Sequence, residues 1–199
     1  MAPRGRLITV EGIDGAGKTT LAEGLLRARP DLVALREPGG VALSERIREL
    51  VKDPALTVDP RAEALLYAAA RAQLVHERLL PLLHGGADVL LDRFVDSSLA
   101  YQGAGRGLGV AEIAELNRFA TAGVTADLTL YVRVEPEVGA ARRAGDDRLE
   151  QAGDAFFAAV VAAYDALAAA EPARIVVLDG EQAPEAVLAA ALRALDGLR

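Results

Sequence analysis

Cysteine is absent from the 199-residue chain, and lysine is confined to Lys18 and Lys52. Without a thiol there is neither a disulfide framework nor a thiolate-ligated metal, and nothing in the composition points to an oxidising compartment. Basic charge is also scarce. The 22 lysines and arginines face 29 acidic residues, leaving a formal charge of −7. That balance argues against a sequence-independent grip on nucleic acid, whose affinity comes from neutralising phosphates. Long apolar runs are missing too: the stretch from Ala155 to Tyr164 is too short to span a bilayer, is followed by Asp165, and reads as a buried helix. The first residues lead into a short β-type run without a secretory apolar region or a small-residue cleavage site. These absences predict a cytoplasmic protein with neither a membrane nor a nucleic-acid partner.

What is present suits a globular enzyme. Hydrophobic residues make up 52% of the chain and charged residues 26%, enough for a core without staples. The length predicts a single domain spanning residues 1–199, with no repeat and no low-complexity linker. Short apolar runs predict strands at Leu7 to Val10, Leu32 to Leu35, Asp88 to Leu91, Leu128 to Val134 and Arg174 to Leu178. Helical patterns fall between them, at residues 18–29, 43–51, 60–83, 110–122, 150–170 and 184–198, while His84-Gly-Gly86 and Gly103 to Gly109 read as turns and loops. Strands alternating with helices give an α/β fold, a parallel sheet of about five strands flanked by helices.

Gly12-Ile13-Asp14-Gly15-Ala16-Gly17-Lys18-Thr19 matches the P-loop pattern between a strand and a helix. In such a loop the backbone N–H groups cradle phosphates, a lysine reaches the β and γ oxygens, and a threonine hydroxyl holds magnesium. The following helix adds the positive end of its dipole. In a chain that uses arginine almost everywhere, a lysine at this place suggests a need for a compact ammonium. A second signal is Asp92, which closes the third predicted strand and stands where a carboxylate supports the magnesium of a bound nucleotide.

The loop alone does not name a reaction, because switches, motors and kinases share it. Phosphoryl transfer between two anions needs cations around donor, acceptor and transferring group. Arg36, at the end of the second predicted strand in Arg36-Glu37-Pro38-Gly-Gly40, and Arg93, after the third, both stand at the sheet edge where open α/β sheets bind ligands. Tyr67 and Arg71 are four apart on a helix and share a face, offering a ring and a guanidinium to a nucleobase. A charged, glycine-containing stretch from Ala141 to Arg148, with Arg142, Arg143 and Arg148, reads as a lid loop over the phosphates, within a region of about 139–150. The guanine-reading Asn-Lys-x-Asp of GTPase switches cannot occur with lysine only at 18 and 52.

The segments Glu11 to Thr20, Arg36 to Gly40, Tyr67 to Arg71, Asp92 to Gln102 and Asp147 to Glu150 together resemble the bacterial thymidylate kinases, a P-loop nucleoside monophosphate kinase family. The resemblance implies phosphorylation of dTMP to dTDP by MgATP in a homodimeric enzyme with a P-loop NTPase fold. It places ATP on Gly12, Ile13, Asp14, Gly15, Ala16, Gly17, Lys18, Thr19, Thr20 and Arg143, and magnesium on Thr19, Asp92 and Asp14. It places the acceptor nucleotide on Asp14, Arg36, Glu37, Pro38, Tyr67, Arg71, Arg93, Ser98, Tyr101 and Gln102. Arg71 and Gln102 would read the pyrimidine, and Tyr101 would disfavour a 2′-hydroxyl. Catalysis would rest on Asp14, Lys18, Arg36, Arg93, Arg142 and Arg148. Gly15 stands where some relatives carry an arginine, which implies that the lid supplies the catalytic cation, from Arg142 or Arg148. Another nucleoside monophosphate or small-molecule kinase is the nearer alternative, and a P-loop ATPase switch the more distant one.

Overall fold

The structure, a computed structural model, describes residues 4–142, 148–149 and 152–198. Among these, strands β1 (Leu7–Glu11), β2 (Val33–Arg36), β3 (Val89–Asp92), β4 (Leu128–Arg133) and β5 (Ile175–Asp179) form one sheet. All its neighbours pair in parallel in the order β2-β3-β1-β4-β5. β1 is buried along its whole length, Thr9 and Glu11 included, as befits a central parallel strand covered on both faces.

The helices are α1 (Lys18–Ala28), α2 (Ala42–Lys52), α3 (Pro60–Leu74), α4 (Leu80–His84), α5 (Val95–Ser98), α6 (Val110–Ala120), α7 (Pro136–Arg142), α8 (Asp154–Ala170) and α9 (Pro184–Gly197). The main core lies between β1, β4 and β5 and the helices α1, α8 and α9, with Leu25, Leu130, Phe157, Val160 and Ala191 at its centre. A second core centres on Leu7, Leu74, Leu79, Val89 and Phe94. Asp59 caps α3 by accepting from the Arg61 amide at 2.9 Å, and Pro60 occupies the first turn.

Three expectations are corrected. The helix expected without a break from residue 60 to 83 widens into a π-type turn at Val75–Leu79 before α4. Gly103 to Gly105 is not loop: α5 runs on as a π-type helix over Leu99–Gly105, and α8 packs against it. The stretch expected to be lid loop from residue 139 is helical as far as Arg142. Pro136 in the first turn, Glu137 near the positive end and Arg142 in the last turn all suit a short helix.

β1 lies between β3 and β4, and the connection that follows β1 runs to β2 on one side of it while the connection that follows β3 crosses to β4 on the other. Crevices form at such a switch point. The glycine loop lies there, flanked by the ends of β2 and β3, which are in register at Arg36 and Asp92.

Candidate active site

A cavity of about 620 Å³ opens at this edge. Its walls carry the loop residues Asp14 to Thr20, Arg36, Glu37 and Pro38 after β2, and Asp92 and Arg93 after β3. Tyr67 and Arg71 of α3, Ser98, Tyr101 and Gln102 of the α5 region, and Arg142 of α7 complete the set. Gly12 and Ile13, also expected at the nucleotide, lie at the root of the loop, where the Gly12 and Ile13 carbonyls hold Arg93 and Lys18. Arg148 is described but is not among the residues that line the cavity, and Arg143 lies outside the described residues.

Lys18 is 7% exposed; its Nζ donates to the Ile13 carbonyl at 2.8 Å and lies 3.8 Å from Asp14. Burial and the neighbouring Arg93 charge lower its pKa from 10.5 to about 8, against the opposing pull of Asp14, Asp92 and Glu11. Asp14 in turn is held well below the ordinary carboxylate range: burial works against its ionisation, but Arg93 and Lys18 outweigh it. Thr19 and Thr20 are exposed beside it at the start of α1.

Arg93 has the left-handed backbone angle φ 66°, which costs a side-chain-bearing residue roughly 1–2 kcal/mol. The surroundings hold it there. Its Nη2 donates to Asp14 Oδ1 at 2.6 Å, and its Nη1 to the Gly12 carbonyl at 3.0 Å and Ser97 Oγ at 3.1 Å. Its guanidinium stacks over the Tyr101 ring at 5.1 Å. Glu11, to which the sequence assigned no role, supports the same turn from below. It accepts from the Phe94 amide at 2.7 Å, Ser97 Oγ at 2.5 Å and Tyr164 Oη at 2.8 Å. Full burial and the charge of Asp96 push the Glu11 carboxyl up.

Arg71 is 2% exposed, and its donors are engaged by the protein. Nε donates to Glu37 Oε2 at 2.7 Å, Nη2 to the Phe94 carbonyl at 2.8 Å, and Nη1 to Ser98 Oγ at 2.9 Å and to Asn117 Oδ1. Tyr101, also buried, packs edge-on against Phe156 with ring centroids 5.9 Å apart. Arg36 is paired with Glu45 at 2.7 Å. Two buried oxygens have no hydrogen-bond partner among the described residues: Asp92 Oδ1 and Glu37 Oε1, both on residues that line the cavity. Buried acceptors of this kind call for a partner, which a water, an ion or a ligand group can supply.

The lid arginines diverge. Arg142 donates to the Gly180 carbonyl at 2.9 Å, beside Gln182 and Pro184 in the cavity wall. Arg148 donates to Glu63 at 2.6 Å and to the Val51 carbonyl at 3.1 Å. α7 is seated on the glycine loop by two residues without side chains. A Cβ on Gly15 would stand 2.3 Å from the Gly139 carbonyl oxygen, and one on Gly139 would stand 2.4 Å from Ile13 Cδ1. Sequence reasoning missed Glu11 and Glu63, and also Arg48 and Lys52, two further cations that line the cavity. For Glu63 there was a signal, since it falls four residues before Tyr67 and eight before Arg71 on one face of α3.

A phosphate-cradling loop with a buried lysine, set at the switch point of a parallel sheet beside a second group of cations, defines a P-loop phosphotransferase of the nucleoside monophosphate kinase class. The thymidylate kinase family model matches residues 10–191, and the chain belongs to that family. It is 47% identical to a thymidylate kinase of Latilactobacillus sakei, an alignment covering 96% of this chain and 94% of the relative. It is 50% identical to one of Deinococcus radiodurans, over 88% of this chain and 89% of that one. The crystal structure of an Ehrlichia chaffeensis thymidylate kinase superimposes with a TM-score of 0.80 at 30% identity, covering 98% of this chain and all of that one.

Proposed function

We propose that the protein transfers the γ-phosphoryl group of MgATP to the 5′-phosphate of dTMP, giving dTDP and ADP. The observation that carries this reading is the convergence, on one cavity, of the glycine loop with Lys18, the strand-end cations Arg36 and Arg93, and the amide and ring of Gln102 and Tyr67. Donor and acceptor phosphates meet between the loop and the ends of β2 and β3. The attacking oxygen is already anionic, so the work is positioning and charge neutralisation rather than proton abstraction.

Lys18 holds the donor phosphates, and Arg36 and Arg93 hold the acceptor phosphate. Asp14, anchored by Arg93, positions the acceptor sugar, and the buried Tyr101 ring closes the space a 2′-hydroxyl would take. Tyr67 stacks on the base, with Glu37, Pro38 and Ser98 on the same side of the cavity. Gln102 reads the base edge, and any bond from Arg71 to the base is made in exchange for one of its internal partners. Arg142 is the lid cation placed on the donor side, because Arg148 is spent on Glu63 and Val51.

The oxygen donors fit magnesium. Asp92 Oδ1 is buried and unpartnered, Thr19 supplies a hydroxyl, and Asp14 lies close by. No group of three or more metal-binding side chains occurs among the described residues, which suits an ion held mainly by substrate phosphates and water. Asp92, Thr19 and Asp14 would hold the ion beside the phosphates, where it would supply neutralisation of the negative charge that develops on transfer.

The chain is read as one domain over residues 1–199, with the lid near residues 139–150, acting in the cytoplasm as a homodimer. No helix among the described residues is long and apolar enough to cross a membrane. For the dimer, Phe119 on α6 is 86% exposed and Leu65 on α3 is 58% exposed, on helices that pack against each other. Sedimentation of the Phe119→Glu variant is expected to show monomers where the parent chain shows dimers; dimers in both would remove this face from the interface.

The central test is a coupled assay with MgATP and a panel of dTMP, dUMP, dCMP and AMP. Strong preference for dTMP is expected, and hydrolysis of ATP without transfer to any acceptor would refute the reading. A second test follows from Lys18. Phosphate oxygens stabilise its charged form, so nucleotide binding raises its pKa from about 8 and the site takes up protons. Calorimetric titration with MgADP near pH 8.5, in two buffers of different ionisation heat, is expected to report that uptake. Affinity is expected to fall as pH climbs from about 8 toward 10.5. Heats that do not depend on the buffer would show that Lys18 does not meet the phosphates.

A further inference from the structure

Glu63, in the first turn of α3, is fully buried at 0% exposure. Its Oε1 accepts from Gln102 Nε2 at 2.9 Å and Arg106 Nε at 3.3 Å, and its Oε2 accepts from Arg148 Nη2 at 2.6 Å and Arg106 Nη2 at 3.1 Å. Burial opposes ionisation, but hydrogen bonds from Gln102, Arg106 and Arg148 outweigh it and hold the carboxyl below its ordinary range. Both arginines are themselves anchored: Arg148 Nε bonds the Val51 carbonyl at 3.1 Å, and Arg106 lies over the Phe156 ring at 4.7 Å. Glu63 is therefore a fixed anion at neutral pH, and an ionised carboxylate only accepts.

This settles the orientation of a side chain whose two ends have opposite hydrogen-bonding character. A glutamine amide can present either its NH2 or its oxygen, and its neighbours decide which. Gln102 lines the cavity with its Nε2 committed to a partner that cannot donate. The oxygen is the end left to serve a ligand. A base with an N3–H, as in thymine or uracil, supplies the donor this oxygen needs, whereas cytosine has an acceptor at N3 and would face it lone pair to lone pair.

We propose that Glu63 is a positioning residue that locks the Gln102 amide with its oxygen toward the acceptor base, and thereby sets the preference for an N3–H pyrimidine over cytosine. The proposal rests on the reading of this site as a pyrimidine monophosphate subsite.

The experiment measures kcat and KM for dTMP and dCMP with the full chain and with Glu63→Gln, Gln102→Ala and the double variant. Glu63→Gln can donate as well as accept, so it frees Gln102 to turn. The dTMP to dCMP ratio of kcat/KM is expected to narrow by about tenfold or more, mainly through KM, as for loss of one oriented polar contact. The double variant is expected to match Gln102→Ala alone. An unchanged ratio in Glu63→Gln would overturn the proposal. So would a further narrowing when Glu63→Gln is added to Gln102→Ala, because Glu63 would then act by some route other than the amide. Glu63→Asp keeps the charge for the arginines but draws the acceptor back from Nε2; the same narrowing is expected, and this variant serves if Glu63→Gln does not fold. A parent chain without activity on dTMP would instead sink the functional reading itself.

Discussion

Replacing Lys18 with alanine is expected to lower kcat by about 10³-fold while leaving the thermal unfolding midpoint close to that of the parent, on the scale set by removing a single preorganised charge-stabilising donor. The ammonium lies in the cavity wall at the start of α1, is bound by the carbonyl of its own loop, and is almost fully screened from water. In so dry a position a charge acts strongly on the oxygens between which the phosphoryl group passes. The cost of keeping it there is visible in the depressed pKa of about 8, so removing it relieves the empty fold rather than weakening it. Steady-state assay with MgATP and dTMP, paired with calorimetric melting, checks both halves. Near-parental turnover would remove Lys18 from the chemistry and with it the assignment of the loop.

Arg71→Ala is expected to act in the opposite sense, on stability first. Its guanidinium bridges Glu37, Ser98, Asn117 and the Phe94 carbonyl, tying α3 to the segments that follow β2 and β3. Truncation leaves Glu37 buried without its cation, and breaking a buried pair on one side costs roughly 3–5 kcal/mol. The pH dependence has a definite sign. Burial already raises the Glu37 pKa even with Arg71 beside it, so ionised Glu37 is a burden to the fold. A raised pKa gives stability at low pH that is lost as pH rises through the folded value. Without Arg71 that value climbs further, and the deficit against the parent is expected to grow from pH 5 to pH 8 in denaturant unfolding. An equal deficit at both pH values would show that Glu37 is not the group left stranded.

The nucleotide loop was legible because its chemistry is local: the glycines, Lys18 and Thr19 need only a strand before them and a helix after, and both are written in adjacent residues. The placement of Arg36 and Arg93 at the sheet edge was legible for a related reason, since a parallel strand delivers its last residue and the one after it to the ligand edge whatever the rest of the chain does. What the pattern could not show was which donors are already spent. The inward turn of Arg71, and the commitment of Arg148 to Glu63, depend on partners 34 and 85 residues away. Glu11 and Glu63 look like ordinary acidic residues until tertiary contacts bury them among donors. Local composition misled at Gly103 to Gly105 and at residues 139–142, where packing by α8 and by the glycine loop holds helix in stretches that read as loop.

The seating of α7 on the nucleotide loop turns two missing side chains into a fixed distance. Backbone rests on backbone where Gly15 meets Gly139, so the height at which Arg142 rides above the glycine loop is set by nothing softer than a carbonyl. A methyl group at either position would act as a shim beneath the helix, shifting its arginine without touching a single charged residue.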